Sequence, residues 1–153
     1  MANDTLTGEE VKRMAAEYCA VCQFKFDEWQ QPPDAQVLRW MMSEVAEYAE
    51  ALAAFRATGQ RNEAPLFKEA SDVIYLLAQI GSPDLHRAAA HSIDIPGRYS
   101  PFANPIASEV YLEVHRDNLW CIKTAILGPD GKVEKAKDYD KSVLMRKIEE
   151  IVK

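Results

Sequence analysis

The runs LRWMMSEVAEYAEALAAF (residues 38–55) and PLFKEASDVIYLLAQI (residues 65–80) decide how this chain is read. In the first, Leu38, Met41, Val45, Tyr48, Leu52 and Phe55 recur in alternating steps of three and four, the period of a one-faced helix. In the second, Leu66, Ala70, Val73, Leu77 and Ile80 do the same. Between them lie the helix-poor residues Thr58, Gly59, Gln60, Arg61 and Asn62, with Gly59 a natural helix terminator. The expectation is a helical hairpin. Each arm carries a pair of acids spaced i, i+3, Glu44 with Glu47 and Glu69 with Asp72. That spacing puts both carboxylates of a pair on one face, a turn apart.

All four acids directly precede a stripe residue: Val45, Tyr48, Ala70 and Val73. They therefore share one edge of the apolar face of their helices, at a helix–helix seam. A short connection makes the two helices antiparallel neighbours and brings the acids to comparable heights. Clustered carboxylates repel one another, and burial adds to the penalty. A cation relieves both, and oxygen-only ligands select a hard ion, Mg²⁺, with Mn²⁺ able to substitute. Since Mg²⁺ commonly completes its shell with substrate phosphates, the acids suggest a phosphate-handling enzyme. The competing reading is a set of solvated helix acids, which ExxE and ExxD spacings also produce by chance. No Walker-type glycine loop, HExxH or GxSxG sequence is present to signal another chemistry.

Working outward, Thr7 is placed to cap a first helix that fades near Phe26, with Glu9 and Glu10 in its positive first turn. Asp34 is expected to cap the second helix, which runs to about Ala57. Pro65 suits the first turn of the third, which is expected to run to Gly81-Ser82-Pro83. Asp84 opens a short helix through Ala90. Residues 93–105 are irregular, a further helix covers Ile106 to Ile122, and the tail from Ser142 to Val152 is helical. The turn Gly128-Pro129-Asp130-Gly131 sits between flanks that form either a short β-hairpin or an ordered loop. The expected fold is all-α, a helical bundle of about four to five helices with a short C-terminal β-hairpin, completed by oligomerisation. One domain spans residues 1–153, its core at 7–122 and its hairpin and last helix at 123–153.

The composition bounds the function. A chain of 153 residues with 48 % hydrophobic content builds a single core, and a net charge of -6 argues against a dedicated nucleic-acid surface. No apolar run approaches the roughly 18 residues of a membrane span, and the N-terminus has no signal-peptide pattern. Three cysteines make no disulfide framework, which fits a reducing cytosol. Cys19 and Cys22 form a CxxC on the first helix with no second ligand pair, so buried thiols are expected there in place of zinc.

Glu44-x-x-Glu47 followed by Glu69-x-x-Asp72 on consecutive helices resembles the all-α nucleoside triphosphate pyrophosphohydrolases. These include the MazG-like proteins, dimeric dUTPases, dCTP pyrophosphatases and phosphoribosyl-ATP pyrophosphohydrolase. Glu28-Trp29, Glu47-Tyr48-Ala49-Glu50-Ala51-Leu52 and Asp72-Val73-Ile74-Tyr75-Leu76-Leu77 extend the likeness over residues 24–80. It returns weakly at Val114 to Asn118 and at Asp130 to Tyr139. The chain departs from the family where Ser43 stands in place of a second acid, which leaves the metal count open. It departs again at Cys121, where a lysine is frequent and Lys123 is the nearest substitute.

The resemblance implies Mg²⁺-dependent hydrolysis of a nucleoside triphosphate, a dNTP foremost, to monophosphate and pyrophosphate, in the service of nucleotide-pool control in the cytoplasm. Glu44, Glu47, Glu69 and Asp72 would hold the metal, and Glu47 is taken as the residue that activates water. Lys123, Lys132 and Lys135 would neutralise phosphate oxygens, Asn118 would bond sugar or base, and Trp29 and Tyr139 would stack on the base. His115 is read as structural, and Trp40 and Trp120 as core or interface. The expected partners are the nucleotide and further copies of the chain in a homodimer or homotetramer, with no nucleic-acid polymer and no membrane. The alternatives are a phosphoribosyl-ATP or alarmone pyrophosphohydrolase, or a non-catalytic helical interaction module.

Overall fold

A computed structural model of the chain describes residues 4–59 and 62–153. Expectations that fall on residues 1–3, on Gln60 and on Arg61 lie outside them. The fold is all-α with a short C-terminal hairpin. Helices α1 (Gly8–Lys25), α2 (Asp34–Thr58), α3 (Ala64–Leu77), α4 (Pro83–Ser92) and α5 (Pro105–Cys121) form the body. Strands β1 (Ile126–Leu127) and β2 (Val133–Glu134) and helix α6 (Lys141–Val152) follow. The strands pair antiparallel, Ile126 opposite Glu134 and Leu127 opposite Val133. Gly131 takes φ 84 in the connecting turn, a conformation that glycine adopts without strain.

The helix ends follow local chemistry. Thr7 and Glu10 form a reciprocal capping box, the Glu10 N–H donating to Thr7 Oγ1 at 3.1 Å and the Thr7 N–H to Glu10 Oε1 at 2.9 Å. Gly59 ends α2 in the left-handed region at φ 62. Two caps differ from the sequence expectation. Asp34 is the first helical residue of α2 and does not cap it; its carboxylate accepts the N–H groups of Gly81 and Ser82, both at 2.9 Å. Ser82, not Asp84, caps α4, accepting from the Leu85 N–H at 3.3 Å, because Pro83 occupies the first helical position. Helix α3 also ends earlier than expected, at Leu77, and residues 78–80 turn toward the Asp34 carboxylate.

Helix α3 is the hub. It packs against α1, α2, α4, α5 and α6. Its stripe residues Leu66, Ala70 and Val73 are fully buried, and Phe67, Ile74 and Tyr75 beside them are buried. A helix enclosed on nearly every side needs apolar residues nearly all round. Helix α2 packs chiefly on α3. Of its stripe only Met41 and Tyr48 are buried, while Leu38, Val45, Leu52 and Phe55 stay half-buried.

The irregular segment before α5 is ordered by the N-terminus of α3. The Tyr99 ring meets Phe67 edge-on, centroids 4.9 Å apart, and its hydroxyl donates to Glu63 at 2.6 Å. The Arg98 guanidinium pairs with the same carboxylate through both Nε and a terminal nitrogen. This clamp holds the Glu63 carboxyl below its usual range, the Arg98 hydrogen bond contributing most.

Candidate functional site

The hairpin of α2 and α3 places the four acids as the stripe positions require. One oxygen each from Glu44, Glu47 and Glu69 lies within 4.8 Å of the others. Glu44 is half-buried, Glu47 exposed and Glu69 buried, so the cluster runs from the seam to the surface. Burial, joined by the charges of Asp72 and Glu47, pushes the Glu44 carboxyl up to about 7. Burial does the same to Glu69, also to about 7. The Glu69 Oε1 atom is enclosed and has no hydrogen-bond partner. A buried carboxylate oxygen without a hydrogen-bond donor is a costly arrangement.

Asp72 is drawn into a different contact. Lys68, one turn earlier on α3, donates from Nζ to Asp72 Oδ2 at 2.6 Å, and the same Nζ lies 3.7 Å from Glu69 Oε1. Only 12 % of the Lys68 side chain is exposed. Burial alone would lower this ammonium, but Asp72, with Glu69 and Glu44, overcomes that and raises it above its ordinary value. Lys68 was missed from the sequence, although it is the only base in the 65–80 run and stands at i, i+4 to Asp72.

Glu44, Glu47, Lys68 and Asp72 line a cavity of about 520 Å³. Its α2 wall is Trp40, Glu44 and Glu47, spaced at i, i+4 and i+7 on one helix face. Its α3 wall is Lys68, Asp72, Tyr75 and Leu76, followed by Gln79. Tyr18 comes from α1, Trp29 and Pro32 from the α1–α2 connection, Asn118 from α5, and residues 131–135 from the hairpin. Four aromatic side chains and two amides thus surround the acidic floor, with Lys132 and Lys135 on the hairpin side.

Of the candidates named from sequence, Trp29, Glu44, Glu47, Asp72, Asn118, Lys132 and Lys135 line this cavity; Glu69 does not, its Oε1 lying 3.7 Å from the Nζ of the lining residue Lys68. Lys123 and Tyr139 do not. Lys123 continues α5 in a 3-10 turn and lays its Nζ 3.7 Å from the centroid of the Trp120 ring, out in solvent. Tyr139 donates its hydroxyl to Asp117 at 2.7 Å, and Lys135 reaches the same carboxylate at 3.3 Å. Tyr139 therefore supports the hairpin's lysine from outside the cavity. Trp40, read from sequence as core or interface, is a cavity wall, with Lys132 Nζ 5.7 Å from its ring centroid. Its position one turn before Glu44 was the available signal. Trp120 is 67 % exposed.

His115 is buried behind the cavity. Its Nε2 lies 2.8 Å from Glu17 and its Nδ1 2.6 Å from the Tyr75 hydroxyl. A carboxylate only accepts, so Nε2 donates to Glu17, and Nδ1 is left to pair with the Tyr75 hydroxyl. The ring thereby fixes a wall residue. The CxxC thiols are free: Cys22 is buried and burial pushes it up to about 11. They are core groups, outside the one metal-sized grouping of His, Cys, Asp and Glu found among the described residues. No described helix is long and apolar enough to cross a membrane. Comparison with known proteins finds no matching family model, no matching curated protein and no matching solved structure.

Proposed function

We propose that the chain is a Mg²⁺-dependent nucleoside triphosphate pyrophosphohydrolase, related to the all-α enzymes its double acidic motif resembles. The observation that carries the proposal is the group of three glutamate oxygens no more than 4.8 Å apart, from Glu44, Glu47 and Glu69, two of these residues lining an aromatic-walled cavity and the third, Glu69, holding a buried oxygen without a hydrogen-bond partner. The residues fit a hard cation: all the donors are carboxylate oxygens, and one of the three carboxylates has an oxygen without a hydrogen-bond partner. Glu44, Glu47 and Glu69 would hold the ion, with Asp72 beside them. When bound, Mg²⁺ supplies charge neutralisation for the phosphates and acidifies water.

The chain's own groups account for the rest. Glu47 is the exposed member of the cluster and faces the cavity, so it is the carboxylate suited to take a proton from the attacking water. Water adds to the α-phosphorus, the bond from that phosphorus to the α–β bridging oxygen breaks, and pyrophosphate departs. The ammonium groups of Lys132 and Lys135 suit the charge that develops on pyrophosphate. Trp29 and Trp40 offer flat faces to a base, and Asn118 and Gln79 offer amides to its edge. The half-buried stripe Leu38, Val45, Leu52 and Phe55 on α2 supports burial against further copies in a homodimer or homotetramer. A cytosolic place in nucleotide-pool control belongs to the same reading.

The test is incubation with Mg²⁺ and a panel of nucleotides, with monophosphate and pyrophosphate as the expected products. Glu47→Gln is expected to abolish turnover while leaving the circular dichroism spectrum of the metal-free protein unchanged. Turnover surviving in Glu47→Gln, or absent from the wild type on every nucleotide, overturns the assignment.

A further inference from the structure

We infer that Lys68 is a built-in counter-cation of the acidic cluster, holding Asp72 while no metal is bound and surrendering it to an incoming divalent cation, then turning its ammonium to the phosphates in the cavity. The inference rests on the metal reading above and extends it to a residue outside the acidic motifs.

Burying an ammonium is costly unless it is paired. Lys68 spends its burial on a single group: Nζ is 2.6 Å from Asp72 Oδ2 but 3.7 Å from Glu69 Oε1, too far to satisfy that oxygen. The ammonium is thus close enough to neutralise part of the cluster and misplaced to complete it. Magnesium–oxygen distances are about 2.1 Å. An ion held by Glu69 would therefore sit within a few ångströms of Nζ in a poorly hydrated place, where like charges repel strongly. Both cannot keep Asp72 and Glu69 between them.

Lys68 has somewhere to go. Its side chain already forms part of the cavity wall between the acids and the aromatic residues. A four-carbon stem with free rotation lets the ammonium leave Asp72 without moving α3. The other lysines of the cavity, Lys132 and Lys135, come from the hairpin, so Lys68 is the one cation of the helical walls among the described residues. Its displacement makes metal loading and phosphate capture parts of one rearrangement: the ion takes the carboxylate, and the freed ammonium gains an anionic partner only when nucleotide is present.

The experiment is calorimetric titration of MnCl₂ into the 153-residue chain without nucleotide, for the wild type, Lys68→Gln and Lys68→Arg. Removing the competing charge is expected to tighten Mn²⁺ binding by about tenfold or more in Lys68→Gln, while Lys68→Arg stays within about threefold of the wild type. Equal or weaker binding by Lys68→Gln overturns the inference while leaving the metal site standing. No binding by the wild type overturns the metal reading, and this inference with it.

A second measurement uses wild-type protein and so does not depend on the variants' stability. The Lys68 ammonium resonance, in protein labelled at lysine ¹³Cε and ¹⁵Nζ, is expected to move in step with Mg²⁺ occupancy. A resonance unchanged at saturation overturns the exchange of partners.

Discussion

Glu69→Gln separates the stability of the site from its use. The wild-type carboxyl is lifted from 4.5 to about 7, chiefly by burial. An acid whose folded pKa lies above its unfolded value holds its proton better in the fold. Its stabilising contribution is therefore complete below pH 4.5 and lost as pH rises through about 7. At roughly 1.4 kcal/mol per tenfold, the full shift corresponds to about 3 kcal/mol at pH 8. The cluster opens to solvent on the Glu47 side and Lys68 lies alongside, so the share recovered is nearer 1–2 kcal/mol, about 3–6 °C in Tm for a chain of this size. Glutamine keeps the shape of the protonated acid and carries no charge. In a chelator at pH 8, Glu69→Gln should therefore melt higher than wild type by that amount, and at pH 4.5 the two should coincide. With saturating Mn²⁺ at pH 8 the order should reverse, because the wild type gains about 2.7 kcal/mol at a hundredfold excess over Kd and the variant has lost a ligand. The assay is a melting curve followed by circular dichroism at both pH values, with and without Mn²⁺. A metal-free variant that melts at or below the wild type at pH 8 refutes the claim that Glu69 is held at an energetic loss.

Trp40→Ala should raise the KM for a nucleotide substrate by about tenfold, with kcat changed less, since a lost stacking face is worth about 1–3 kcal/mol; a steady-state titration decides it, and an unchanged KM removes Trp40 from the base site. Tyr139→Phe should keep kcat/KM within about threefold of wild type, because Tyr139 stands outside the cavity and only braces Asp117, whereas a hundredfold loss would return it to the substrate. Glu63→Gln should lower stability at neutral pH by about 1 kcal/mol. The Glu63 carboxyl is held below its ordinary 4.5 by Arg98, so that deficit should shrink as the solution is acidified below pH 4.5 and Glu63 takes up its proton; melting curves from pH 7 to 3 that stay parallel would contradict it.

The helical hairpin was legible because it is written in local spacing. Steps of three and four, a glycine at the end of α2 and a proline at the start of α3 each act within a turn of where they stand. The acidic edge was legible for the same reason, since Glu44, Glu47, Glu69 and Asp72 are placed by their neighbours on one helix. What escaped the sequence depends on which helix turns toward which. The Asp34 carboxylate was assigned to its own helix start, yet it receives the chain 47 residues on, at Gly81. Tyr139 and Lys123 are plausible as base and phosphate ligands by type alone. Only the path of the hairpin and the end of α5 sends one to Asp117 and the other over Trp120. Lys68 was overlooked for a subtler reason: a lysine at i, i+4 to an aspartate reads as an ordinary exposed helix pair. That it is buried follows from α3 being enclosed by five other helices.

That enclosure also explains how the site is divided. Glu69 and Lys68, with only 11 % and 12 % of their side chains exposed, sit on the helix that the rest of the molecule surrounds. The stability lost by burying them is spread over a large apolar interface made by Leu66, Phe67, Ala70 and Val73. Glu44 and Glu47 come from α2, which leans chiefly on α3 and keeps much of its stripe half-buried. One half of the acidic cluster is thus fixed by the core and the other by a single seam. Repulsion across that seam works against the packing of α2 on α3, and a cation shared by Glu44, Glu47 and Glu69 would reverse its sign. Ion binding at this position would consequently be felt as tighter docking of α2, the helix that carries both the water-facing Glu47 and the Trp40 wall of the cavity.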